Sequence, residues 1–233
     1  MVTTSRERSI IDTFVVLSNT LVEDYDVVDF ALTLVDASAM LFDAVSAGLV
    51  LADAGGVLEV LASTDEDTRL IELLQLDSAG PCIDSYTSGE PVIVPDITAV
   101  REQWAEFRER AAELGFHAAH CVPMRAHGVT IGSLNLFQGH AGTLDADDIA
   151  VVQGFADVAT VGILQQRALR ESTLAQTQLQ RALDSRVIIE QAKGVLAYAN
   201  RITVEQAFEV LRSRSRSTST PITILARQIL NGQ

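Results

Sequence analysis

Residues 186–199, RVIIEQAKGVLAYA, constrain the fold more than any other stretch of the chain. Ile188, Ala192, Val195 and Ala199 fall at i, i+4, i+7 and i+11, with Ile189 and Leu196 alongside. That is the period of an amphipathic α-helix facing a small core. Arg186, Glu190, Lys193 and Ala197 repeat with the same step on another face. Lys193 is the only lysine of the chain; all other strongly basic residues are arginine. Gly194 follows it inside the helix, where glycine costs about 1 kcal/mol relative to alanine. A glycine so placed signals close approach to the backbone, by a packed helix or by a ligand such as a phosphate chain.

The residues that follow extend the pattern. After a break at Asn200 and Arg201, the run TVEQ at 203–206 is a capping box that opens a second helix, with Ala207, Phe208, Val210 and Leu211 turned inward. Residues 213–220 are a connection rich in serine, threonine and arginine. Thr220 and Pro221 then open a third helix as N-cap and first helical residue. Its stripe is Ile222, Leu225, Ala226, Ile229 and Leu230, and Asn231-Gly232 ends it. In order and spacing, RALDSRVIIEQAKGVLAYANRITVEQAFEVLRSRS…PITILARQIL closely resembles the ANTAR family of RNA-binding antitermination domains. The matching positions include Ala182, Leu183, Arg186, Ile189, Ala192, Lys193, Gly194, Leu196, Glu205, Ala207, Leu211, Arg212 and Ala226; Ala197 departs from the family's frequent methionine. The resemblance implies an all-α three-helix bundle that binds RNA as a dimer, on a pair of stem-loops in a nascent leader transcript. Its candidate RNA-binding residues are Arg186, Lys193, Gly194, Arg201, Arg212, Arg214 and Arg216. The last three sit at the end of the second helix, where they also complement its dipole.

Charge separates the two ends of the chain. The net charge is −14, yet residues 165–233 carry ten basic and five acidic side chains, net +5. The preceding 164 residues carry seven basic and 26 acidic, net −19. An acidic surface repels nucleic acid, so any such binding falls to the basic end. With 48% apolar and 21% charged residues the chain can build a core and is not a disordered protein. No apolar run approaches the roughly 18 residues of a membrane span, and no signal-peptide layout opens the chain. The expectation is a cytoplasmic protein without a membrane partner. Cys82 and Cys121 lack metal-type spacing and read as reduced thiols.

Earlier in the chain, periodicity predicts helices over 9–21 and 26–42, and a hairpin of strands 44–52 and 57–63 about Asp53-Ala-Gly-Gly56. A short helix over 68–76, a helical turn over 82–87 ended by Ser88-Gly89, and a strand over 91–94 follow. A helix over 98–114 carries Trp104 and Phe107. Strands 118–125 and 130–138 precede a long helix that starts at the acids Asp145, Asp147 and Asp148. Strands and helices in this order make an α+β domain. The segments SAGPCIDSYTSGEPVIVPDI and GFHAAHCVPMRAHGVTIGSLNLF resemble GAF domains, which implies an antiparallel sheet flanked by helices and a sensory role. GAF relatives bind many small molecules, and no residue here selects a ligand or cofactor. Cys82, Trp104 and Phe107 are the candidate ligand-binding residues; for Trp104 and Phe107 core packing is the favoured reading and a lid over a small molecule the alternative.

The spacing of Ala168, Ala175, Ala182 and Ile189, with Leu169, Leu174, Leu179 and Leu183 beside them, suits a coiled-coil homodimer. The domain plan is therefore 1–164 sensor, 165–183 coiled-coil linker and 184–233 RNA-binding bundle. His120 and Cys121 point to opposite faces of a strand and do not form a metal pair. No phosphate loop of Walker or Rossmann type is present, and nothing in the sequence argues for an enzyme. The expected function is a signal-responsive antitermination regulator. The competing readings are a GAF-dimerised regulator that docks on DNA or protein, and a thiol enzyme acting on sulfoxides, which needs Cys82 and Cys121 brought together.

Overall fold

The computed structural model describes residues 2–20, 26–100 and 102–231. They divide into two compact units, residues 1–166 and 167–233. The expected contributions of Leu21 and Gly232 lie outside the described residues.

In the first unit, helices α1 (Val2–Thr20) and α2 (Val27–Leu41) precede strands β1 (Ser46–Ala52) and β2 (Leu58–Ser63). The Asp26 carboxylate caps α2 by accepting from the Val28 amide. Helices α3 (Glu66–Asp77) and α4 (Pro81–Ser88) lead into β3 (Val92–Val94), and α5 (Ala105–Glu113) precedes β4 (Ala118–Ala126) and β5 (Val129–Gln138). The strands form one antiparallel sheet in the order β2-β1-β5-β4-β3.

Strand alternation assigns the two faces of this sheet. Ala47, Leu49 and Leu51 of β1, Val122 and Met124 of β4, and Leu134 and Leu136 of β5 join one apolar cluster with Phe30, Leu34 and Phe155. The opposite face supplies Ala119 and Phe137 to a second cluster with Ile71, Ile97, Trp104 and Phe107.

The helix expected over 98–114 is broken. Single 3-10 turns occupy Ile97–Ala99 and Glu102–Trp104, and α5 begins only at Ala105. The cause is local: the Asp96 carboxylate accepts from the Thr98 amide at 2.8 Å and its hydroxyl at 2.6 Å. That closes an Asx-type turn, and Val100 is then extended.

The long helix α6 runs over Ala146–Asn200 and starts on the Asp145 carboxylate, which accepts from the Asp148 amide. Among the described residues no helix is long and apolar enough to cross a membrane.

The second unit contains the later part of α6, α7 (Val204–Thr218) and α8 (Ile222–Leu230). Arg201 takes positive φ at the turn between α6 and α7. The expected capping box at Thr203 and Gln206 is complete in both directions. The expected loop over 213–220 is instead helical as far as Thr218, with Ser217 and Thr218 hydroxyls donating to the Arg214 carbonyl. Ser219 in the left-handed region ends α7, and Pro221 rather than Thr220 caps α8.

Candidate nucleic-acid interface and ligand cavity

The core of the second unit is Ala192 of α6, Leu211 of α7, and Leu225 and Ala226 of α8, with Ile188, Ile189, Leu196, Ile222 and Ile229 packed against them. The inward stripe of α6 is thus narrower than its sequence pattern: Val195 and Ala199 face outward. Val210 of α7 is exposed as well, while Phe208 is half-buried.

This packing decides where the basic side chains stand. Arg186, Arg201, Arg212, Arg214 and Arg216 are exposed. Arg212 lies 3.7 Å from Glu209 on its own helix, a surface pair of little energetic weight. Lys193 is different. Its ammonium donates to both Glu190 carboxylate oxygens at 2.9 Å and lies 5.3 Å from the Phe208 ring centroid. The side chain is only 15% exposed. Gly194 has the opposite environment, since a Cβ there would meet nothing within 4 Å beyond its chain neighbours and its own helix backbone. Its position on α6 is open, and no helix of the described chain occupies it.

The first unit holds a cavity of about 730 Å³ between α4, β3 and the 3-10 turns. Its walls include Asp84 and Thr87 of α4, Val92 and Val94 of β3, Asp96, and Trp104. Of the three ligand candidates read from the sequence, Trp104 alone reaches this cavity. Phe107 is fully buried in the second apolar cluster.

Cys82 belongs to a buried polar group that sequence reasoning missed. Glu72 of α3 is fully buried against the second sheet face. Its carboxylate accepts from the Asn135 amide at 2.7 Å and the Gln75 amide at 3.2 Å. Ser133 donates to the Asn135 carbonyl oxygen at 2.6 Å, and the Gln75 oxygen accepts from the Cys82 backbone amide at 3.0 Å. Gly48 of β1 makes room for this group, because a Cβ there would lie 2.5 Å from a Glu72 oxygen. Burial raises the Glu72 carboxyl from 4.5 to about 7, against the lowering effect of hydrogen bonds to Asn135 and Cys82. Burial, then the nearby Glu72 charge, pushes both the Cys82 and Cys121 thiols up. Protonated thiols of this kind are poor nucleophiles. On the other sheet face, burial lowers His120 to about 4, and its Nε2 accepts from the Leu144 amide at 3.0 Å. No metal-type cluster of histidine, cysteine and carboxylates occurs among the described residues.

A five-stranded antiparallel sheet with helices on both faces and a cavity at its edge strand defines a class of α+β domain, and comparison with known proteins identifies it. The GAF domain model matches residues 25–163. As that is more than half of the chain, the protein belongs to the GAF family. A second model, that of the ANTAR domain, matches residues 177–230.

Solved structures agree on the fold. A domain of a sensor histidine kinase from Sinorhizobium meliloti is 16% identical, with a TM-score of 0.52, over 64% of this chain and 99% of that one. Free methionine-R-sulfoxide reductase from Neisseria meningitidis is 16% identical, with a TM-score of 0.52, over 66% of this chain and 87% of that one. The GAF domain of an Acinetobacter phosphoenolpyruvate-protein phosphotransferase is 16% identical, with a TM-score of 0.52, over 68% of this chain and 94% of that one. At these identities the likeness concerns architecture alone. No curated protein matches the chain.

Proposed function

We propose that this protein is a signal-responsive RNA-binding regulator of transcription antitermination. The observation that carries the reading is the set of exposed arginines, Arg186, Arg201, Arg212, Arg214 and Arg216, on the unit that matches the ANTAR domain. That end of the chain is net +5, beside a remainder of net −19. A cationic helical surface attracts folded RNA through its phosphates, and unpaired loop bases supply specificity.

In this reading residues 1–164 sense, 165–183 couple and 184–233 grip the transcript. The coupling segment pairs with a second copy. Its Leu169, Leu174, Leu179 and Leu183 are 50–62% exposed, and Ala168, Ala175 and Ala182 keep a seven-residue step suited to close helix pairing. Two bundles on one dimer then engage two stem-loops, and the second contact gains from effective concentration. The cavity lined by Trp104 is the ligand site of the sensor. The raised thiols of Cys82 and Cys121 speak against the thiol-enzyme reading.

Crosslinking the full chain to cellular transcripts and sequencing the fragments tests the proposal. Recovered hairpins should bind the purified protein with affinity that drops steeply with salt. Equal affinity for duplex DNA of the same length would replace RNA by DNA as the target. Recovery of no structured RNA would remove the proposal.

A further inference from the structure

The outward face of α6 in the second unit carries a feature the basic surface does not explain. Tyr198 is 90% exposed, at the last turn of the helix. Gly194, one turn earlier, stands on the same side, because i and i+4 are neighbours on a helix surface. The glycine leaves bare backbone there: beyond its chain neighbours and its own helix backbone, nothing lies within 4 Å of where a Cβ would stand. A shallow depression beside the ring is lined by Ala197, Tyr198, Ala199 and Arg201. The phenol ring is therefore flanked by a glycine, two alanines and one guanidinium. Around the depression the residues other than the arginine are small, and Val195 stands exposed at i−3 from the tyrosine.

This is the chemistry of a platform for a flat, anionic-backbone ligand. An aromatic face stacks on a nucleobase of any identity. A bare helix backbone lets the base edge come close, and an adjacent arginine meets a phosphate. We propose that Tyr198 stacks an unpaired loop base of the bound RNA, laid over the open backbone at Gly194, with Arg201 on the neighbouring phosphate. The inference rests on the RNA reading above and adds a residue outside the basic set. It also predicts selection of hairpin loops over duplex: paired bases are already stacked within the helix and offer no free face.

The test titrates full-length variants with a hairpin recovered by crosslinking. Tyr198→Ala should weaken binding about 5- to 100-fold, while the slope of log affinity against log salt stays as in the parent. Tyr198→Phe should remain within about twofold, since the ring is kept. Arg201→Ala should reduce the salt slope by about 0.7, the single-strand increment for one phosphate. Gly194→Leu fills open space and raises helix propensity, so folding is spared. It should weaken the hairpin as Tyr198→Ala does, by covering the platform. Unchanged affinity in Tyr198→Ala and Gly194→Leu, with the parent binding RNA, overturns the inference and leaves the RNA reading intact. A parent that binds no RNA removes both. Loss of self-association in Tyr198→Ala, seen by sedimentation, overturns the inference in favour of a protein contact.

Discussion

In the first unit the most deeply buried groups include a carboxylate, an amide pair and two thiols: Glu72, Gln75, Asn135, Cys82 and Cys121. In the second, full burial is confined to Ala192, Ala207, Leu211, Leu225 and Ala226, and no charged side chain is fully buried among the described residues. A unit that holds an ionisable group away from water bears its desolvation and needs a broad apolar core to do so. The three-helix unit has no such reserve. It relies on a few interlocked side chains and well-made caps, and it leaves its charge outside, available to a ligand.

The contrast is broken most directly by deleting core volume. Leu211→Ala should cost about 2–5 kcal/mol, enough to unfold a bundle with so few buried residues. The first unit should keep its protection, and hydrogen exchange resolved by peptide would show protection lost only in the bundle, from about residue 184 onward. Loss across both units would show that they are one cooperative body.

The next effect is a pH dependence of the first unit. Glu72 is raised to about 7 in the folded state, so between about 4.5 and 7 the folded chain holds a proton that the unfolded chain releases. Its contribution to stability falls as pH rises through that window and is level above it. His120, lowered to about 4, works in the opposite sense, its contribution rising with pH from about 4 to 6.5. The two act in opposite directions in the parent protein. Glu72→Gln removes one of them, and its stability relative to the parent should increase by about 3 kcal/mol from pH 4.5 to pH 7. A difference independent of pH would mean that Glu72 is not held in low dielectric.

Smaller effects separate capping and charge within the bundle. Thr203→Ala removes the side-chain half of the capping box and should cost about 0.5–2 kcal/mol, read as a lower melting point of the second unit alone. Lys193→Ala should shift the salt slope of RNA binding by less than Arg212→Ala. Its ammonium is already held by Glu190 and Phe208, whereas Arg212 is exposed. An equal shift would show that Lys193 leaves Glu190 for a phosphate.

The elements themselves were legible where local chemistry decides them. Thr203 and Gln206, the hairpin at Asp53 and the acids at the start of α6 each specify an end or a turn within a few residues. Strand alternation separated His120 from Cys121 correctly, and it distinguishes the two faces of β4 and β5. What escaped was set by contacts distant in sequence. Glu72 sits between Ile71 and Leu73 in α3; its partner Asn135, and Ser133 which donates to Asn135, alternate with Leu134 and Leu136 on β5. Polar residues so placed look like a solvated face until α3 and α4 are seen to cover that face. Asp96 ended the helix expected over 98–114 through a turn whose signal, Asp-Ile-Thr, is short. At 213–220 the reverse occurred: serines and threonines read as loop, but their hydroxyls bond back to helical carbonyls. Lys193 carried the sequence argument as a free charge, and only packing against Phe208 reveals it as partly covered.

The central claim, that the exposed arginines of the terminal bundle hold folded RNA, is tested most directly by replacing Arg212, Arg214 and Arg216 together with glutamine in the full chain. All three are exposed on α7, so helicity and melting should be preserved. Titrated with a crosslinked hairpin across salt concentrations, the variant should lose affinity at least tenfold, and its salt slope should shrink by up to about 2. Parent-like affinity and slope in a folded variant would contradict the account.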